Sequence, residues 1–333
     1  MKNNSRWCFF VVMQAKADVA EEFTVSLTWN SAVTEYLLVK ETEGLTKDTL
    51  KNFKSILYKY MDYCREAGSR SPSDVPKTLF RQYIRVLATK YSNIYVNSQI
   101  SKIRGFYGYL LDEEYITESQ DPTGRSKFLP KEEKLLVIYN DQEVAELIYA
   151  AGNQKNRFHA ERDKLIIMIL ADCGLRVHEL VSLLDENVTT DSIFVHRAKK
   201  YKQRMLYVTP EVAKQLLKYR RIRDSYFKHK GVPTANTLFL NYKGEQLRND
   251  GVQKMMKRLA PKVKLRPTVR NSPHTLRHWF AQSQLQNGVS IYTLSRLLGH
   301  ESINTTQAYL KGIADENLIN SAIETSPLMN MKK

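Results

Sequence analysis

From about Thr28 to residue 116 the apolar side chains return every three to four positions, four times over, which commits the first third of the chain to amphipathic helices. Leu50, Phe53, Ile56, Leu57, Tyr60 and Met61 mark one such face; Thr46 and Asp48 stand where a helix is capped, and Gly68 where it stops. Lys51, Lys54 and Lys59 lie on the opposite side. Further helices are expected over about 74–91 and 94–111, the second setting Ile100, Ile103, Tyr107 and Leu110 against Asn97, Ser98, Ser101, Lys102 and Arg104. An all-helical first domain of four or five helices follows.

The period is lost at 118–127, where turn formers displace it, and returns at Asn140, which with Glu143 makes an Asn-led capping box ahead of Val144, Leu147 and Ile148. A strongly apolar helix runs from Lys164 to Asp172 and ends at Gly174. Ser192 to Val208 alternates as a β-hairpin with a basic turn near Lys199 to Lys202, and Thr237 to Leu240 has short strand character. A chain of 333 residues exceeds what one core supports. The expected fold is therefore mainly α with a small β-sheet: an N-terminal extension (1–27), a helical domain (28–117), a linker (118–130), a mixed α/β domain (131–325) and a tail (326–333).

Charge narrows the partner. Lys and Arg exceed Asp and Glu by 16, and the excess is +3 over residues 1–130 but +13 over 131–333. Residues 197–270 carry 21 basic side chains against four acidic ones. Such a run would repel itself unless polyanion phosphates neutralise it, which favours nucleic acid over a solvated basic face. Three cysteines without a CxxC pair indicate neither a disulfide framework nor a zinc knuckle. Seven apolar residues, Trp7 to Met13, are the bare minimum for a secretion signal and nothing approaches a membrane span, so a cytoplasmic protein is expected.

Several chemistries lack their geometry. No GxxxxGK[ST] or GxGxxG loop is present to cradle a nucleotide. His274 and His278 are spaced as zinc ligands, but Thr275 holds the glutamate position of HExxH. The basic half offers only scattered carboxylates for a two-metal site. Neither a metal nor a cofactor is expected. What the chain does offer is Arg176 at the end of an apolar helix, His274 and Arg277 one helical turn apart, His300 just past a glycine, and Tyr309 nine residues on. Two arginines, two histidines and a tyrosine are what a metal-free attack on a phosphodiester requires.

Gly174-Leu-Arg176-Val-His-Glu179-Leu180, His274-Thr-Leu-Arg277-His278, Leu298-Gly-His300 and Thr305-Thr-Gln-Ala-Tyr309 resemble, in order and spacing, the four boxes of the tyrosine recombinases, and Ser101 to Leu110 looks like that family's core-binding helix. The resemblance covers about residues 28 to 325. It implies a C-shaped clamp on double-stranded DNA, attack by Tyr309 to give a 3′-phosphotyrosine bond, a phosphate clamp of Arg176 and Arg277, and assistance from His274 and His300. It places the general acid on the hairpin turn. Lys199 meets the family's spacing to Lys202 and Arg204, but Ala198 and Lys200 stand where glycines are usual, so Lys200 stays open. Glu179 is expected to position Arg176 or a histidine. A tetramer on two DNA sites is implied, with the amphipathic segment 314–323 docking on a neighbour.

Duller readings compete at each position. Alone, Tyr309 among 19 tyrosines would be read as core. His278 is left outside the catalytic set, Cys173 is read as a small core residue, Lys51, Lys54, Ser101, Lys102 and Arg104 as DNA-binding, and Lys202, Arg204 and the basic run 214–230 as phosphate contacts or solvated surface. Two rivals remain for the whole: a type IB topoisomerase-like enzyme, and a DNA-binding protein of the same fold without the reaction.

Overall fold

A computed structural model describes residues 27–124, 126–130, 137–196, 203–300 and 302–307. The chain divides into two compact units, Met1–Lys134 and Leu135–Lys333. The fold is mainly helical, with one two-stranded sheet among the described residues. No described helix is long and apolar enough to cross a membrane.

Among the described residues the first unit has four α-helices: α1 (Trp29–Thr42), α2 (Lys47–Glu66), α3 (Lys77–Lys90) and α4 (Asn93–Asp112). Thr28, Thr46 and Ser92 cap α1, α2 and α4 through their hydroxyls, as small oxygen-bearing residues do at a helix start. α3 begins later than its periodicity implied, because Pro72–Asp74 forms a 3₁₀ turn and the chain re-enters the helix only after Pro76. The core is aromatic: Trp29 stacks on Phe106, and Tyr60 meets Phe80 edge-on at 5.9 Å. Tyr107 is fully buried and donates its hydroxyl to the Pro72 carbonyl. The segment read as a linker is held to α4, where Asn97 bonds both the amide and the carbonyl of Leu129.

The second unit is organised around α6 (Arg157–Cys173). Leu165, Ile166, Ile167, Ile169 and Leu170 are completely buried on it, as in a helix enclosed on all sides. α5 (Asp141–Gly152), capped by the Asn140–Glu143 box, α8 (Pro210–Lys230) and α10 (Pro273–Gln286) surround it. A short α7 (Val177–Val181) follows the turn at Gly174. Strands β1 (Ser192–Val195) and β2 (Arg204–Tyr207) pair antiparallel, with Ser192 opposite Tyr207 and Val195 opposite Arg204. The expected strand at Thr237 to Leu240 is reduced to single bridges, Leu184 to Thr237 and Leu240 to Gln246. α9 (Asn249–Leu259), α11 (Ile291–Leu298) and α12 (Asn304–Gln307) are the remaining α-helices among the described residues.

The basic run is not the uniform positive surface that composition implied. Arg204, Lys218, Arg220, Arg223, Arg258 and Arg266 pair with Glu179, Glu161, Asp185 or Asp163, and Glu143, carboxylates that precede the run in sequence. Asp163 is completely buried, and Arg266 holds the Glu143 carboxyl down at about 2. Part of the positive charge is thus neutralised within the fold, and the self-repulsion argument applies only to the remainder.

Candidate active site

Arg277 is the centre of the site. Ser272 caps α10 and Pro273 opens it, while the Tyr139 hydroxyl accepts from the Ser272 amide and donates to Asn271 at 2.6 Å, fixing where the helix begins. Arg277, one turn in, is only 4% exposed. Its Nη1 donates to the Gly174 carbonyl and its Nη2 to the Leu298 carbonyl at 2.9 Å, and Nη2 also lies 3.0 Å from His300 Nε2. A buried guanidinium needs such acceptors, and here two helix ends supply them.

Both helix ends depend on glycine. α6 closes on Gly174 at φ +58°, and α11 on Gly299 at φ +64°, backbone that other residues adopt only at a cost. At α11 the Gly299 and His300 amides close onto the Arg296 and Ser295 carbonyls, which leaves the Leu298 carbonyl to face the arginines. The partial negative charge of a helix C-terminus favours cations there.

Arg176 reaches the same carbonyl: its Nη1 is 3.4 Å from Leu298 O. It is held from the other side by Glu179, whose Oε2 accepts from the Arg176 amide at 2.9 Å and whose Oε1 lies 3.3 Å from Nη1. Glu179 is 4% exposed and also receives a two-pronged pair from Arg204, Nη1 to Oε1 at 2.9 Å and Nη2 to Oε2 at 2.8 Å. Burial opposes its charge, but Arg204 and then Arg176 prevail and bring the carboxyl to about 2. Of the two partners expected for Glu179, Arg176 is in direct contact with it. Arg204, read from sequence as a DNA contact or solvated surface, has a side chain 12% exposed and engaged inside the protein.

His300 places Nδ1 2.7 Å from the hydroxyl of Thr306, a fully buried residue of α12. His274 is exposed at the start of α10. Desolvation lowers its pKa, and Arg277, Arg270 and Arg176 lower it further, which favours the neutral imidazole. His278 lies half-buried one turn on, its pKa pushed down to about 4 by burial, His274 and Arg277. Two guanidiniums on one carbonyl, with imidazoles beside them, are groups that can coordinate an oxyanion through paired N–H donors.

The structure thus brings together Arg176, His274, Arg277 and His300 from three separate stretches of sequence. Lys199, Lys200, Lys202, Tyr309 and the segment 314–323 lie outside the described residues. In the first unit, Lys51, Lys54 and Ser101 are exposed. Lys102 instead donates to Ser98 Oγ at 2.6 Å and covers the Phe53 ring, while Arg104 stacks over Phe128 at 4.9 Å. Sequence reasoning missed the Thr306 contact, although Thr306 sits in the box that ends at Tyr309. It also missed the Gly174 and Leu298 carbonyls, whose sole signal is the glycine at each helix end.

Residues 139–314 match the model of the phage integrase family. The tyrosine recombinase XerD of Staphylococcus aureus is 30% identical over 281 residues, covering 83% of this chain and 92% of that protein. The XerH site-specific recombinase bound to palindromic difH substrate, a post-cleavage complex, superposes with a TM-score of 0.69 at 19% identity, covering 83% of this chain and 79% of the other. The lambda integrase tetramer bound to a Holliday junction gives 0.67 at 15% identity, over 94% and 90%. A family match across more than half of the sequence, joined to a relative of this similarity over nearly its whole length, shows that this chain belongs to the phage integrase family, the tyrosine recombinases, and is a DNA strand-transferring enzyme.

Proposed function

We propose that the protein cleaves and rejoins duplex DNA at a specific site through a covalent 3′-phosphotyrosine formed by Tyr309, and that it serves the integration, excision or resolution of a mobile element or replicon. The convergence of Arg176 and Arg277 on the Leu298 carbonyl carries this reading. Planar forks that keep their charge at any working pH suit the two non-bridging oxygens of a phosphodiester, and their attraction grows as charge develops in the pentacoordinate transition state.

The tyrosine hydroxyl attacks phosphorus, the P–O5′ bond breaks, and the leaving oxygen takes a proton. Lys199 is the residue proposed to supply that proton, with Lys200 as its neighbour in the same turn. His274 and His300 assist at the phosphate oxygens or in carrying the nucleophile's proton. The phosphoester energy stays in the Tyr309 linkage, so that rejoining needs no nucleotide. The XerH neighbour bound to its difH substrate and the lambda integrase tetramer on a Holliday junction support DNA as substrate and a tetramer on two sites as the working assembly.

The experiment is covalent trapping. DNA captured on the protein in its host is sequenced, a nicked duplex of that site is synthesised, and the linked complex is measured. A complex with the natural chain and none with Tyr309→Phe is expected. An undiminished complex in Tyr309→Phe would sink the assignment. Relaxation of plasmids lacking the site, without recombinants, would favour a topoisomerase-like reaction.

A further inference from the structure

Glu179 is one negative charge claimed by two arginines, and it divides itself unequally. Arg204 takes both carboxylate oxygens, through Nη2 at 2.8 Å and Nη1 at 2.9 Å, an end-on fork whose two parallel bonds make it a strong pair. The side chain of Arg176 is left with a 3.3 Å approach to one of them. Exposure follows the same division, 12% for the Arg204 side chain and 26% for that of Arg176. Arg204 Nε is buried and makes no hydrogen bond among the described residues, and both Nη atoms face Glu179, so the guanidinium is directed into the protein.

We propose that Arg204 is a positioning residue for Arg176: by occupying both oxygens of Glu179, it keeps that carboxylate from capturing the Arg176 guanidinium, which stays presented to the scissile phosphate. The inference rests on the reading of Arg176 as a phosphate clamp. Removing Arg204 acts in two ways. Glu179 would close onto Arg176 as its remaining partner, because a buried carboxylate draws in the nearest cation. The carboxylate would also turn an uncompensated negative charge toward an incoming phosphate. Arg204 is the first residue of β2, opposite Val195, so the same pair ties the hairpin to the corner between α6 and α7.

The test is single-turnover trapping at saturating concentration of the nicked site duplex, with affinity for the intact site measured alongside. Arg204→Met is expected to slow trapping about 10²-fold while affinity stays within about threefold, since a misplaced clamp costs rate more than binding. Arg204→Lys, which cannot fork both oxygens, falls between. In the Arg204→Met background, Glu179→Gln removes the charge that would seize Arg176, and about tenfold or more of the lost rate is expected to return.

A double variant no faster than Arg204→Met overturns the proposal and leaves the pair a structural one. So does an Arg204→Met protein that binds DNA more weakly yet traps it at the natural rate, the mark of a phosphate contact. If Arg204→Met lacks a cooperative unfolding transition, the same rescue is required of Arg204→Lys with Glu179→Gln. An Arg176→Ala variant that traps at the natural rate fails the clamp itself, which separates that failure from this one.

Discussion

Arg277 Nη2 sits 3.0 Å from His300 Nε2, and because a guanidinium can only donate, that ring nitrogen is the acceptor. A ring bearing one proton then carries it on Nδ1, donated to the Thr306 hydroxyl at 2.7 Å. Arg277 and Thr306 together select the tautomer. Thr306→Val removes the acceptor inside a fully buried position. It is expected to cost about 1–3 kcal/mol in stability and to slow covalent trapping about tenfold or more, with Thr306→Ser near the natural rate. Equal rates for Val and Ser would show that the hydroxyl has no part in the site.

Arg277→Lys keeps the charge and loses the fork that spans the Gly174 and Leu298 carbonyls. Trapping is expected to fall by about 10²–10³-fold, as when one preorganised donor is lost, while the unfolding temperature drops because two buried carbonyls lose a partner. Single-turnover kinetics and calorimetry on one preparation measure both.

Gly174→Ala is the sharpest backbone test. The residue holds φ +58°, and an added methyl would press into the Phe280 ring. Left-handed strain and overpacking together are expected to destabilise by about 2–5 kcal/mol. Adding Phe280→Leu relieves the second contribution and not the first, so partial recovery in denaturant unfolding is the outcome to look for. No loss in the single variant would contradict the turn geometry.

The pH dependence of stability has two windows. His278 has a folded pKa of about 4 against 6.5 unfolded, so the unfolded chain binds the proton first. Stability therefore falls as pH drops from about 6.5 toward 4, by about 1–2 kcal/mol once solvent screening is allowed for. Glu179 and Glu143, held at about 2, contribute stability above their unfolded value of 4.5 that is lost as pH falls toward 2. Denaturant unfolding between pH 7 and 4.5 should show the first window flattened in His278→Asn.

Helix positions and the reacting boxes were legible because both are local. Gly68, the Asn140–Glu143 box and Gly174 each announce a boundary within four residues of sequence, and the structure uses all three. The partners were not legible, because they are set by tertiary approach. Nothing near Arg204 says that its carboxylate stands 25 residues upstream, and nothing near Arg277 says that its acceptors are main-chain atoms 103 residues before it and 21 after. Counting charge along 197–270 overstated the free positive surface for the same reason: the neutralising acids are on α5, α6, α7 and the 3₁₀ turn at Asp185 to Asn187. Lys102 and Arg104 lay on the expected polar side of α4, but their approach to the Phe53 and Phe128 rings was not legible there.

The Leu298 carbonyl has an evolutionary corollary. A receptor made from a side chain is erased by one codon change, whereas every amino acid brings the same carbonyl to position 298. Point mutation can thus vary the surface of α11 widely without touching what Arg176 and Arg277 hold. Insertion or deletion of a residue within α11, which moves where the helix ends, is the lesion this part of the site would not survive.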